Sequence, residues 1–156
     1  MIVYLVRHGE ALAKDADPDR HLSPAGIKTV KKMAGFIKPL DLHLSAIWHS
    51  RKTRARETAE ILSHAVTIEE GLVERCDLGP NDEIRPIARE LRAMESDVMI
   101  AGHMPFMSLL TSYLLTGKES PEIAFFETAA IACLEQDSGH NWVLRWLLQP
   151  DLLQGH

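Results

Sequence analysis

Arg7, His8, Gly9 and Glu10 follow directly on the apolar run Ile2-Val3-Tyr4-Leu5-Val6. A run of β-branched and aromatic residues reads as a strand. A strand that ends in a guanidinium, an imidazole and a glycine sets reactive groups on a rigid support. A neutral imidazole is a nucleophile, a base or a metal ligand near neutral pH. Two further groups of similar make-up recur: Ser50-Arg51-Lys52-Thr53-Arg54 after a second apolar run, and Gly102-His103 after a third, with Pro105 to open a helix. Taken alone, Arg7-His8-Gly9 reads equally well as a strand end with a turn glycine. Chemistry follows only if the fold brings the three groups together.

The elements that must do so are legible in the pattern. After the first strand, residues 11–20 are polar and form a loop over its carboxyl end. Ser23 and Pro24 cap a helix whose apolar residues Ile27, Val30, Ala34 and Ile37 recur at helical spacing up to Pro39. Residues 42–48 read as a strand, and Ser50 as the cap of a helix with Ala55, Ala59 and Leu62 on its buried side. Val66-Thr67-Ile68 reads as a brief third strand, followed by an acidic loop over residues 69–80. A third helix then opens at Asn81 or Asp82 and buries Ile84, Ile87, Leu91 and Met94. Val98-Met99-Ile100-Ala101 has the unbroken apolar character of a central parallel strand. A fourth helix from Pro105 buries Phe106, Leu109, Leu110 and Tyr113, with Gly117 as its C-terminal cap. Residues 128–135 and 142–148, around the turn Gln136-Asp137-Ser138-Gly139, read as an antiparallel hairpin with Trp142, Leu144, Trp146 and Leu148 on one face. The order is that of a three-layer α/β/α sandwich: a mostly parallel six-stranded sheet with a C-terminal antiparallel hairpin, in one domain over residues 1–156.

Composition narrows the function. The chain has 156 residues, of which 46% are hydrophobic, and a net charge of -5, which argues against general affinity for nucleic acid or anionic membrane. With no basic leader and no apolar stretch of spanning length, a soluble cytoplasmic protein is expected. Cys76 and Cys133 lie far apart and read as plain thiols. His21, His43, His49, His64, His140 and His156 have no metal-ligand spacing and read as surface or cap residues; no metal and no cofactor is expected.

In open α/β sheets, ligands bind beyond the carboxyl ends of the strands. Arg7-His8, Ser50 through Arg54, and Gly102-His103 all fall on that rim, where two arginines, two histidines and two helix starts favour an anion. A phosphoryl group fits best, because a guanidinium fork holds two of its oxygens at once.

The segments Leu5-Val6-Arg7-His8-Gly9-Glu10, Leu22-Ser23-Pro24-Ala25-Gly26, Ser50 through Ala59, and Ala101-Gly102-His103-Met104-Pro105 resemble, in this order, the histidine phosphatase superfamily, also called phosphoglycerate mutase-like. The short chain looks most like the short bacterial phosphohistidine phosphatases. The resemblance implies His8 as a nucleophile that becomes phosphorylated. It also implies Arg7, Arg54 and His103 as holders of the phosphoryl oxygens, a metal-free reaction, and one antiparallel strand near the end of the sheet. An acidic residue after the third strand protonates the leaving oxygen in larger relatives, and Glu74 is the nearest counterpart. Arg51 stands where relatives often have proline and Glu57 where they have glutamine; Arg51 is read as solvated and Glu10 as structural or substrate-selective. The cationic neighbours should lower the pKa of His8, and His103 is expected to be charged beside the dianion. The expected partner is a protein carrying phosphohistidine or a small phosphate ester. Rival functions are a small-molecule phosphomonoester phosphatase or mutase, and a catalytically idle phosphate-binding module.

Overall fold

The computed structural model describes residues 1–153. Strand β1 (Ile2–Arg7) lies inside the sheet, and its Val3, Leu5 and Val6 are fully buried, as an apolar run with no polar face requires. It pairs in parallel with β6 (Val98–Gly102) and antiparallel with β7 (Ile131–Gln136). Beyond β6 lie β3 (Ala46–His49) and then, at the edge, β5 (Leu72–Glu74). Beyond β7 lies β8 (Trp142–Leu148), completing the order β5-β3-β6-β1-β7-β8.

Successive residues of β1 point to opposite faces and enter two cores. Tyr4 and Val6 join Val30, Met33 and Ile37 of α1 (Pro24–Ile37) and Ala59 and Leu62 of α2 (Thr53–Ser63). Val3 and Leu5 join Ile87 and Leu91 of α3 (Arg85–Ala93) and Phe106 and Leu110 of α4 (Phe106–Thr116). Helices on both faces of a mostly parallel sheet make the expected three-layer α/β/α arrangement. Ser23 caps α1 as expected, its Oγ accepting from Gly26 N at 3.0 Å, and Gly117 ends α4 in the left-handed region at φ 80°. Among the described residues no helix is long and apolar enough to cross a membrane.

Several local expectations are corrected. The run 42–48 is two strands, β2 (His43–Leu44) and β3, divided at Ser45, whose N–H and hydroxyl both bond to Asp97 O. The brief strand at 66–68 is β4 (Thr67–Ile68), and it pairs with β2 in a separate two-stranded ribbon. The place expected for it in the main sheet belongs to β5, inside the stretch read as an acidic loop. An edge strand needs no apolar run: Leu72 and Glu74 are exposed and only Val73 packs against the core. Helix α3 begins at Arg85 rather than at 81 or 82, and β7 at Ile131 rather than at 128.

The hairpin forms, yet Trp142 and Trp146 do not share a face. Leu134 pairs with Leu144 while Cys133 pairs with Trp146, so Arg145 is an extra residue that shifts the alternation. Trp142 packs with the core that holds Val3, and Trp146 with the core that holds Tyr4.

Glycine at 26 is required by packing. A Cβ there would collide with the carbonyl oxygen of Glu10, whereas one at Gly35, on the same helix, would meet nothing within 4 Å. In urea unfolding, Gly26→Ala is expected to destabilise the protein by about 1–3 kcal/mol through overpacking. Gly35→Ala should stabilise it by about 0.5–1 kcal/mol through helix propensity; equal effects of the same sign would contradict this packing.

Candidate active site

The sheet register assembles the site. Arg7 is paired with Gly102, and His8 N donates to Gly102 O at 2.9 Å, so the residues that follow β1 and β6 emerge side by side. The rings of His8 and His103 lie 5.1 Å apart between centroids, inclined at 58°. His49 is registered with Ala101, and Ser50 N bonds to Ala101 O, which brings the end of β3 to the same place. Helix α2 closes the third side: Arg54 Nε donates to His8 Nε2 at 3.3 Å. One turn on, Thr58 Oγ1 donates to Arg54 O at 2.7 Å and accepts from Gly9 N at 3.0 Å. A single helical turn therefore fixes both the guanidinium and the backbone beside His8.

The tautomer of His8 follows from its neighbours. Its Nδ1 lies 2.7 Å from Gly9 O, a carbonyl that can only accept, so Nδ1 carries the hydrogen. Burial is the main cause that pushes the His8 pKa down to about 4; the Gly9 bond opposes it, and Arg54, Arg7 and Arg20 add to it. The ring is neutral at pH 7, and Nε2 carries no hydrogen, its lone pair accepting from Arg54 Nε. The expected depression of the pKa is present, with desolvation ahead of the cations as its cause.

His103 is 1% exposed, and its pKa is pushed down to about 3, first by burial and then by His8, Arg54, Lys52 and Arg20. In this surrounding His103 is neutral, not charged. Its Nε2 lies 2.6 Å from Ser50 Oγ, and its Nδ1 is buried with no partner among the described residues. Ser50 was expected to cap α2, but the cap position belongs to Lys52; the Ser50 hydroxyl accepts from Lys52 N at 3.3 Å and lies against His103 as well. Arg7 is held from behind by a 2.7 Å bond from its terminal nitrogen to Phe126 O, and its Nε is buried without a partner among the described residues. Buried polar groups normally find partners, so the two at this rim stand out.

The other sequence candidates lie elsewhere. Glu74 ends β5 opposite His49, on the same rim but three strands from β1, roughly 14 Å at ordinary strand spacing. Arg51 is exposed, Glu10 is exposed, and Glu57 Oε1 accepts from Leu22 N at 2.8 Å, tying the loop after β1 to α2. Cys76 and Cys133 are free, and His156 lies outside the described residues. Among the described residues the metal-type ligands Asp17, Asp19 and His21 come within 4.8 Å of one another, but there the His21 ring bonds to Asp17 at 2.7 Å.

Three contributors were missed in the sequence: Ser50 as partner of His103, Thr58, and Arg20. A basic residue in a loop that must return over the strand ends, two positions before the Leu22-Ser23 cap, was the available signal for Arg20.

Because the folded His8 pKa lies below the ordinary value of 6.5, the unfolded chain binds more protons between about pH 4 and 6.5, so His8 makes stability fall as pH drops through that window. The size is on the order of 3 kcal/mol for a shift of this extent. NMR titration of the histidine rings in the free protein is expected to show His8 and His103 neutral down to pH 5; a midpoint near 6.5 for His8 would contradict the assigned burial and charge.

The model of the histidine phosphatase superfamily (branch 1) matches residues 3–80. An uncharacterized protein of Picosynechococcus sp. (strain PCC 7002) is 33% identical over 113 residues, 67% of each chain. Among solved structures, the protein histidine phosphatase SixA complexed with tungstate superposes with a TM-score of 0.86 at 24% identity, over 99% of this chain and 100% of that one. A putative phosphohistidine phosphatase SixA from Agrobacterium tumefaciens gives 0.76 at 26% identity, over 96% and 97%. By the family match over residues 3–80 and the 33% identical relative, the chain belongs to the histidine phosphatase superfamily.

Proposed function

We propose that the protein is a phosphatase that removes phosphoryl groups from phosphohistidine in proteins by way of a covalent phosphohistidine at its own His8. The observation that carries this reading is the unprotonated Nε2 of a neutral His8, set among guanidinium groups that have no carboxylate partner among the described residues. The ion pairs of arginine among the described residues involve Arg56, Arg75, Arg85 and Arg145, not Arg7 or Arg54. A phosphoryl group supplies what those cations lack.

In the first step the Nε2 lone pair forms a bond to phosphorus in line with the leaving group. The bond from phosphorus to the leaving nitrogen breaks, and that nitrogen keeps the electron pair. Arg54, which faces Nε2 in the free protein, turns its donors to the phosphoryl oxygens, joined by Arg7 and His103. The approaching dianion reverses the electrostatics at His103, whose neutral state rests partly on surrounding cations, and lets it take up a proton. In the second step water attacks phosphorus, the bond from Nε2 to phosphorus breaks, the electron pair returns to a neutral His8 that keeps its Nδ1 hydrogen, and both protons of the water leave on the dihydrogen phosphate. An imidazole leaves readily without a strong acid. Glu74, on the edge strand, serves only substrates whose leaving group extends toward it. Arginines rather than carboxylates face the phosphoryl oxygens and neutralise their charge, so the reaction is expected to run in EDTA.

Support for a protein substrate comes from the borders of the site. The connections that leave the rim after β6 and β5 are loops over residues 103–105 and 75–84. Three clefts of about 420, 480 and 240 Å³ elsewhere on the molecule are lined by residues other than Arg7, His8, Arg54 and His103. A side chain on another protein reaches a site bordered in this way.

With a phosphohistidine peptide, His8→Ala is expected to abolish turnover, and Arg54→Ala to lower kcat/KM by about 10²–10³-fold with little change in Tm. Arg54→Lys should not restore it, because a point charge does not replace a planar fork. Full activity of His8→Ala, or loss of wild-type activity in EDTA, would overturn the proposal. Fast turnover of sugar phosphates with none of phosphohistidine would shift it to small esters.

A further inference from the structure

Arg20 has a place in the structure that the proposed phosphoryl transfer does not use. The loop after β1 is closed by a bridge between Ala11 and Leu22, by Leu12 N to His21 O at 2.8 Å, and by the Glu57 carboxylate on Leu22 N. Glu57 stands one helical turn from Arg54 on α2, so the loop is pinned beside that guanidinium. Within it Arg20 takes a left-handed backbone at φ 51°, and its Nε donates to Leu12 O at 3.0 Å, which fixes the guanidinium and leaves both terminal nitrogens without a partner among the described residues.

Asp17 and Asp19 precede it in sequence, yet neither carboxylate pairs with its guanidinium among the described residues. Asp17 Oδ2 is taken by the N–H and ring of His21, and its Oδ1 by Asp19 N. No ion pair of Arg20 exists among the described residues. Its charge is felt at Arg54, at His8 and at His103, and at each histidine it ranks behind Arg54, as expected of a cation outside the inner group. Lys52, exposed at the start of α2, is a second outer cation felt at His103. Guanidinium groups gathered at one site without carboxylate partners among the described residues favour an anion, and one phosphoryl group already has Arg7, Arg54 and His103.

Resting on the proposed phosphatase reading, we infer that Arg20 is a specificity residue that binds a second anionic group of the substrate, a carboxylate next to the phosphoryl group. That carboxylate comes either from an acidic side chain flanking phosphohistidine in a protein or from the leaving group of a small acidic phosphate ester.

The test is a selectivity ratio. In wild type, Arg20→Ala and Arg20→Lys, kcat/KM is compared for carboxyphenyl phosphate against phenyl phosphate, and for a phosphohistidine peptide with flanking Asp against the same peptide with flanking Ala. Loss of one charge-assisted hydrogen bond is expected to lower the ratio in Arg20→Ala about 10- to 100-fold, mainly through KM, with partial recovery in Arg20→Lys. The pair whose ratio moves identifies the source of the carboxylate. Ratios unchanged in both pairs would overturn the inference, including the case in which all four substrates slow by one common factor. Binding of carboxyphenylphosphonate and phenylphosphonate by calorimetry reads the same ratio without turnover, so failure of the phosphatase reading and failure of the Arg20 inference give different results.

Discussion

The hydrogen bond from His8 Nδ1 to Gly9 O is the interaction on which the site depends. It leaves the only lone pair of the neutral ring on Nε2, on the side that faces Arg54. The bond exists because Gly9 is tightly placed: a Cβ there would stand 2.6 Å from Val30 Cγ2, and its N–H is fixed by Thr58. Helix α1 from one side and α2 from the other thus hold the peptide that holds the ring. Changes in that packing reach the tautomer without touching the histidine.

A second constraint is electrostatic. A chain of net charge -5 gathers Arg7, Arg20 and Arg54 around two neutral histidines, and none of the three has a carboxylate partner among the described residues. Folding assembles that repulsion and sustains it with the sheet core beneath, where Val6, Ile100 and Ala101 are fully buried. Marginal stability spent at a site is the usual accompaniment of function. The unpartnered Nδ1 of His103 and Nε of Arg7 belong to the same cost.

Much of this was legible because apolar runs and caps are local signals. The run 2–6, Ser23-Pro24 and Gly117 report on their own elements, and the rule that ligands gather at carboxyl ends then placed His8, Arg54 and His103 on one rim. The edge strand β5 was hidden because half-exposed edge residues need no pattern. The bulge at Arg145 was hidden because a shift of alternation depends on the partner strand. Ser50 shows a subtler limit: a serine before a helix is a good cap by type, and only the register of β3 with β6 brings it to His103. Arg20 was read as loop for the same reason, since what it faces is set by Glu57, 37 positions away in the chain.

The central claim is that Nε2 of His8 attacks phosphorus. It is tested most directly by mixing the protein with a substrate labelled in its phosphoryl group, quenching in alkali within milliseconds, and mapping the label by peptide sequencing and NMR. The account predicts label on His8, at Nε2, appearing and decaying fast enough to lie on the path to phosphate. Label on any other residue, at Nδ1 of His8, or on no residue while phosphate is released in a burst, would contradict it.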